Sequence, residues 1–194
     1  MNARFVRAAL ALALLPVAAR AELPADCSAA KPPAKPVEAS IVGAKYAPSS
    51  VKLVVGGSMK SGDTELDMWR LALRSEDSVF APLSVTVTVA VPKGQSLEGK
   101  VFRKLPVEST MDQPSVVKGL PEVQGWSYED RKSGARGSHV KYLASLRLEF
   151  GRAEGKTLPG SIYLCVPKGQ KSSFDKTPVA ADSYAIGTFQ ALMQ

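Results

Sequence analysis

The sequence predicts a mainly β protein, a single antiparallel β-sandwich, from two strand-like segments and a repeated turn. Residues 84–91 alternate valine with serine, threonine or alanine, the period-two pattern of a strand with one buried face. Residues 162–166 form a second such strand near the C-terminus. Both run into Val-Pro-Lys-Gly-Gln, at 91–95 and 166–170. Proline fixes φ and glycine accepts positive φ, so each repeat predicts a strand-ending turn.

Several more short strands with turn signals between them favour a sandwich. An immunoglobulin-like topology is preferred, and a jelly roll is the alternative. In the strand predicted at 140–150 the even-numbered residues form the apolar face. The additional strands are predicted at 51–55, 100–105, 124–130, 140–150 and 184–192, with glycines ending the first of them at 56–57.

Residues 64–74 fit two structures. A helix would place Asp67, Arg70 and Arg74 on one polar arc. A strand would align Trp69 with two leucines on one face. The strand is favoured because strand-like runs flank the segment, and one short helix at 64–74 is the alternative.

The first 21 residues have the pattern of a secretory signal peptide. Arg4 and Arg7 precede an apolar run that is too short to span a membrane, and Ala19-Arg20-Ala21 is a cleavage motif. Residues 22–38 are rich in Pro, Ala and Lys and predict an extended arm, followed by the sandwich domain at 39–194. We therefore expect an exported protein, periplasmic or extracellular, with no membrane span after signal cleavage.

Two cysteines, Cys27 and Cys165, remain after cleavage. In an oxidising compartment they are expected to form a disulfide bond, with two unpaired thiols as the alternative. Strand parity directs Cys165 away from Ile162, Leu164 and Val166. A bond to Cys27 would therefore draw the arm over the outer face of this strand.

The charge balance argues against a nucleic-acid partner. The chain has 25 basic and 18 acidic residues, and signal cleavage would leave 22 and 18, a net charge of +4. A dedicated nucleic-acid binder has a more one-sided balance.

Catalytic, cofactor and metal motifs are also lacking, so we expect no catalytic residue, cofactor or metal. The single histidine, His139, lies on the polar face of a predicted strand. A calcium ion could use Asp63, Glu65 and Asp67, but the glycine-bearing loop of a calcium hand is missing.

The hairpin around 126–141 is the one candidate ligand site. Its aromatic residues share a strand parity and basic residues follow them, which suits stacking on sugar rings or contact with anionic polymers. The alternative is that the aromatic residues are core. The candidate ligand-binding residues are Trp126, Tyr128, Arg131, Lys132, Arg136 and Lys141, with His139 beside them.

These features predict a non-catalytic binding or accessory protein whose partner is a glycan or another exported protein. A structural or surface-assembly component, such as a pilus-like subunit, is the alternative, because edge strands and an arm permit strand addition. A hydrolase is the least favoured class. The candidate carboxylate pair for such an enzyme, Glu129 and Asp130, is adjacent in the chain, so the two side chains would point to opposite faces of a strand.

Overall fold

A computed structural model describes residues 32–104, 120–127, 138–141, 144–169 and 181–194. Within these ranges every regular element is a strand, so the mainly β class is confirmed. Residues 64–74 form strand β4, and the helix alternative for them is wrong. The strands are β1 Glu38–Ile41, β2 Ala44–Tyr46, β3 Ser50–Ser61, β4 Thr64–Arg74, β5 Leu83–Pro92, β6 Val101–Lys104, β7 Glu122–Ser127, β8 Ser138–Lys141, β9 Ser145–Phe150, β10 Thr157–Val166 and β11 Ser183–Met193.

These strands form one mixed sheet in the order β6-β9-β10-β11-β3-β4-β5-β7-β8, with β1 on β11 and β2 on β1. The pairings between these strands are antiparallel except the short β11–β3 contact, and an isolated parallel bridge joins Pro36 to Thr188. The expectation of a purely antiparallel sheet is therefore wrong at the β11–β3 junction. Strand β1 also contacts β5 and β7, from the other part of the sheet. The sandwich and its immunoglobulin-like topology stay predictions.

Both parts of the sheet contribute to one hydrophobic core. The four valines of β5 at 85, 87, 89 and 91 are 0–3 % exposed, which confirms the alternation predicted for this strand. In β9 the even-numbered residues Leu146, Leu148 and Phe150 are buried, again as predicted. Trp69 packs against this core from β4 and is partly buried.

Two predicted strand boundaries are wrong. Residues 140–150 were expected to form one strand, but β8 pairs with β7, whereas β9 pairs with β10 and β6. The apolar parity continues through both strands, so periodicity alone could not reveal that they have different neighbours. Strand β3 continues beyond Gly56 because a bulge between Val55 and Gly57 absorbs one residue.

The two Val-Pro-Lys-Gly segments end strands as predicted. Gly94 has φ +78° and Gly169 has φ +83°, values that favour glycine. An aspartate holds each turn: Gly94 N donates to Asp67 Oδ2 at 2.9 Å, and Lys168 N donates to Asp182 Oδ1 at 2.7 Å. Gln170 lies outside the described residues.

Two of the three carboxylates considered for calcium, those of Glu65 and Asp67, are engaged at the first of these turns. Besides the contact of Asp67, Glu65 Oε1 accepts a hydrogen bond from Lys93 Nζ at 2.9 Å. This bond raises the pKa of Lys93. Asp63 lies in the two-residue turn between β3 and β4, after Gly62.

The end of the predicted arm lies along β11. Thr188 N donates to Lys35 O at 2.7 Å, and Val37 N donates to Thr188 O at 2.9 Å. Val37 is buried in the core. The predicted signal peptide and Cys27 lie outside the described residues. No helix of membrane-spanning length and apolarity occurs in the described ranges.

The outer surface of β10 and β11 carries a second small cluster, which we call the back face. It consists of Tyr163, Cys165 and Ile186, with Tyr184 packed against them. Burial raises the pKa of Tyr184. Ile162, Leu164 and Val166 belong to the main core instead, so the parity predicted for Cys165 is confirmed.

Candidate functional site

The predicted hairpin exists, and β7 and β8 are its strands. Trp126 is paired with His139 and Gln124 with Lys141. Within the described strands β8 has no neighbour other than β7 and forms an edge of the sheet. The backbone positions of three predicted site residues are therefore adjacent. The remaining candidates, Tyr128, Arg131, Lys132 and Arg136, lie outside the described residues.

The hairpin extends a line of residues that crosses the sheet. Trp126 is paired with Ser84 of β5, Ser84 with Arg74 of β4, and Arg74 with Ser50 of β3. Ser84 alternates along β5 with the core valines. Position 126 therefore belongs to the register of the surface opposite the core. We call the outer surface of β3, β4, β5, β7 and β8 the front face.

The loop between β4 and β5, residues 75–82, lies at the same end of the sheet. Leu83, which follows the loop, is paired with Ser127, the last residue of β7. At the tip of the loop Val79 is 73 % exposed and Phe80 is 71 % exposed, whereas the next residue, Ala81, is 2 % exposed. Two adjacent large apolar side chains in water mark this tip as a candidate contact surface.

Serines shape this loop. Ser75 N donates to Leu83 O at 2.9 Å, and Ser75 Oγ accepts from Leu83 N at 3.2 Å. Ser78 Oγ accepts from Phe80 N at 3.1 Å, and Ser78 O accepts from Ala81 N at 3.2 Å. Short polar side chains that bond to nearby backbone groups favour such turns. The hydrogen bonds on both sides of the exposed tip are therefore supplied by residues of the loop itself and by Leu83, which follows it.

Asp77 fastens the same loop to β3. Its Oδ1 lies 2.6 Å from Lys52 Nζ and accepts from Ser50 Oγ at 3.1 Å. The hydrogen bond from Lys52, and then that from Ser50, lower the pKa of Asp77, and the charge of Arg74 acts in the same direction. The loop is thus tied to β3, the first strand of the front face, by a charge-assisted contact and a hydrogen bond to the same carboxylate.

The site combines an exposed apolar tip with basic and hydroxyl-bearing residues of the sheet. Such a surface can bind a flat, amphipathic ligand through its apolar side and hydrogen-bond to its polar groups. The sequence reasoning missed Val79 and Phe80. The detectable signal was two large apolar residues in the middle of a Ser-Glu-Asp-Ser…Pro loop, where no strand pattern requires them.

Within the described residues no group of three His, Cys, Asp or Glu side chains is placed to hold a metal ion. Comparisons of the chain with known protein families, with curated proteins and with solved structures gave no match.

Proposed function

We propose that this chain is an exported, non-catalytic binding or accessory protein, and that its ligand is a glycan held at the loop end of the front face. The observation that carries the proposal is the exposed Val79–Phe80 tip beside the end of the β7–β8 hairpin. Export is the part of the proposal that rests on the predicted signal peptide at residues 1–21.

A glycan fits this surface because a sugar ring has an apolar face and a rim of hydroxyl groups. An exposed phenyl ring can stack on the apolar face, and serine, threonine and basic side chains can hydrogen-bond to the hydroxyl groups. Ser75, Asp77 and Ser78 make hydrogen bonds that favour the observed conformation of the tip. Binding would then require little additional ordering of the loop, which favours affinity.

A structural or surface-assembly protein is the second candidate, and it has less support. Strand addition needs a long accessible edge. The edge strands among the described residues are short: β2 has three residues, and β6 and β8 have four each. The arm residues at 35–37 are bonded to β11 of their own chain, which leaves that segment less available to a neighbouring subunit.

Glycan-array binding of the purified mature protein tests the proposal. The wild type is expected to bind a defined set of glycans. Phe80→Ala is expected to weaken this binding about tenfold, because one stacking contact between an aromatic ring and a sugar ring is worth about 1–2 kcal/mol. Trp126→Ala tests the hairpin side of the site. Phe80 is exposed, so its replacement should leave the unfolding midpoint almost unchanged.

Val101→Ala is the matched control. Val101 is also an exposed apolar residue, but it lies on β6, away from the front face. The proposed site would be contradicted if Phe80→Ala and Trp126→Ala left glycan binding unchanged, or if Val101→Ala weakened it equally. The proposed ligand class would be contradicted if the mature protein bound no glycan at all.

A further inference from the structure

The front face continues from the candidate site across five strands, and its charged residues are mostly basic. The second line of paired residues crosses β3, β4, β5, β7 and β8, and a third crosses the first four of these strands. The second line is Lys52, Ala72, Thr86, Gln124 and Lys141, and the third is Val54, Arg70, Thr88 and Glu122.

The arginines of β4 are the cations best placed to meet a ligand. Arg70 is exposed and Arg74 is half-buried, and within the described residues neither has a recorded ion pair. Lys52 is already paired with Asp77. The acidic residue of the face, Glu122, accepts a hydrogen bond from Gln124 Nε2 at 3.0 Å, which partly occupies its carboxylate.

The β5 residues paired beside the cations carry hydroxyl groups. Thr88 is paired with Arg70 and Ser84 with Arg74, and Thr86 lies between them on β5. The two threonines are half-buried and Ser84 is buried. Hydroxyl groups can donate to and accept from other hydroxyls. Guanidinium groups bind carboxylates with two parallel hydrogen bonds. The face therefore offers partners for hydroxyls and for carboxylates side by side.

We propose that the front face binds a carboxylated polysaccharide, an extended chain of acidic sugars that runs from the Val79–Phe80 tip over Arg74 and Arg70. This inference rests on the proposed glycan-binding function and specifies its ligand. Four residues of a strand separate the two arginines by about 13 Å, and four strand spacings span about 19 Å from β3 to β8. A surface of this size accommodates an oligomer better than a single sugar ring.

The test compares one polymer in two charge states. Surface plasmon resonance measures binding of the mature protein to polygalacturonate and to its methyl-esterified, uncharged form. The wild type is expected to prefer the acidic polymer and to lose that preference at high salt. The double variant Arg70→Ala/Arg74→Ala should bind the acidic polymer about a hundredfold more weakly, about tenfold for each charge-assisted hydrogen bond lost.

Arg103→Ala/Arg152→Ala is the matched control, because it removes two exposed arginines from strands and turns outside the front face. It should bind like the wild type. An equal loss in this control, equal binding of the two polymers, or equally tight binding of double-stranded DNA would overturn the inference. Esterified polymer bound in a Phe80-dependent manner, with no effect of the arginine pair, would overturn it while leaving the proposed glycan function intact.

Discussion

The front and back faces are both outer surfaces of the same sheet, and they differ in what alternates with the core. On β5 of the front face the residues between the core valines are Ser84, Thr86, Thr88 and Ala90. On β10 of the back face they include Tyr163 and Cys165, which are buried with Ile186 of β11. One face is polar and partly in water, and the other is a second, smaller core.

This difference shows what alternation determines and what it leaves open. A period of two assigns each residue to one of two faces. It specifies which face is the main core only when the residue types on the two faces contrast strongly, as valine and threonine do on β5. Where both faces are apolar, as on β10, the outer face needs a cover. No described strand lies over Tyr163, Cys165 and Ile186.

The largest effect is expected at the predicted disulfide, which would fasten the N-terminal arm over the back face. Cys165 is fully buried, and no described cysteine is a free thiol. We predict that Cys27→Ala lowers the free energy of unfolding by about 4 kcal/mol, since the bond would close a very long loop in the unfolded chain. Urea denaturation of the oxidised protein measures this change.

The single and double cysteine variants supply the control for this prediction. If the two residues are bonded, Cys27→Ala and the Cys27→Ala/Cys165→Ala double variant differ only by the packing cost at Cys165. Reduction should then destabilise the wild type and leave Cys27→Ala unchanged. A reduced wild type as stable as the oxidised one would contradict the bond, as would alkylation of both thiols without prior reduction.

A smaller effect compares the two faces directly. Ile186→Ala on the back face should destabilise the protein by about 2–4 kcal/mol, because it removes buried methyl groups and leaves a cavity. Val54→Ala, on the front face, should cost about 1 kcal/mol or less, since Val54 is only half-buried. Denaturant midpoints at equal slope measure both. Equal costs for the two variants would mean that the back face is no more covered than the front.

Much of the sheet could be predicted from local signals. The β5 valines and the turns at Gly94 and Gly169 depend on residues adjacent in the chain, so period and turn chemistry specify them. The separation of β8 from β9 depends on which distant strand each one meets, and the apolar parity of 140–150 carries no information on that. The bulge at Gly57 was missed for a related reason, because a glycine pair also fits the end of a strand.

The candidate site divides in the same way. The hairpin with Trp126, His139 and Lys141 was predicted from parity and composition, and its strand pairing is confirmed. The line that joins Trp126 to Arg74 is a property of the cross-strand register, which needs the order of β4, β5 and β7. The exposure of Phe80 depends on how the loop at 75–82 folds back, which no periodic pattern describes.

The smallest effect concerns Asp77, whose carboxylate ties the β4–β5 loop to the front face. Its pKa is lowered first by the hydrogen bond from Lys52 and then by that from Ser50. Lys52→Met should therefore raise the pKa of Asp77 toward its ordinary value of 3.8. An NMR titration of the Asp77 carboxyl carbon measures the change, and Lys60→Met, at the far end of β3, should leave it unaffected.

The sign of the accompanying pH dependence follows from this lowered pKa. A carboxyl whose pKa is lower in the folded than in the unfolded chain stabilises the fold at pH values above its ordinary pKa. That contribution disappears as the pH falls through the lowered pKa of the folded state. Asp77 is exposed, so the effect on stability is expected to be small. Acidification below pH 3.8 should loosen the loop in the wild type, whereas in Asp77→Asn the loop should show no such dependence. Amide hydrogen exchange at Val79 and Phe80 that accelerates equally in both proteins would show that another contact holds the tip.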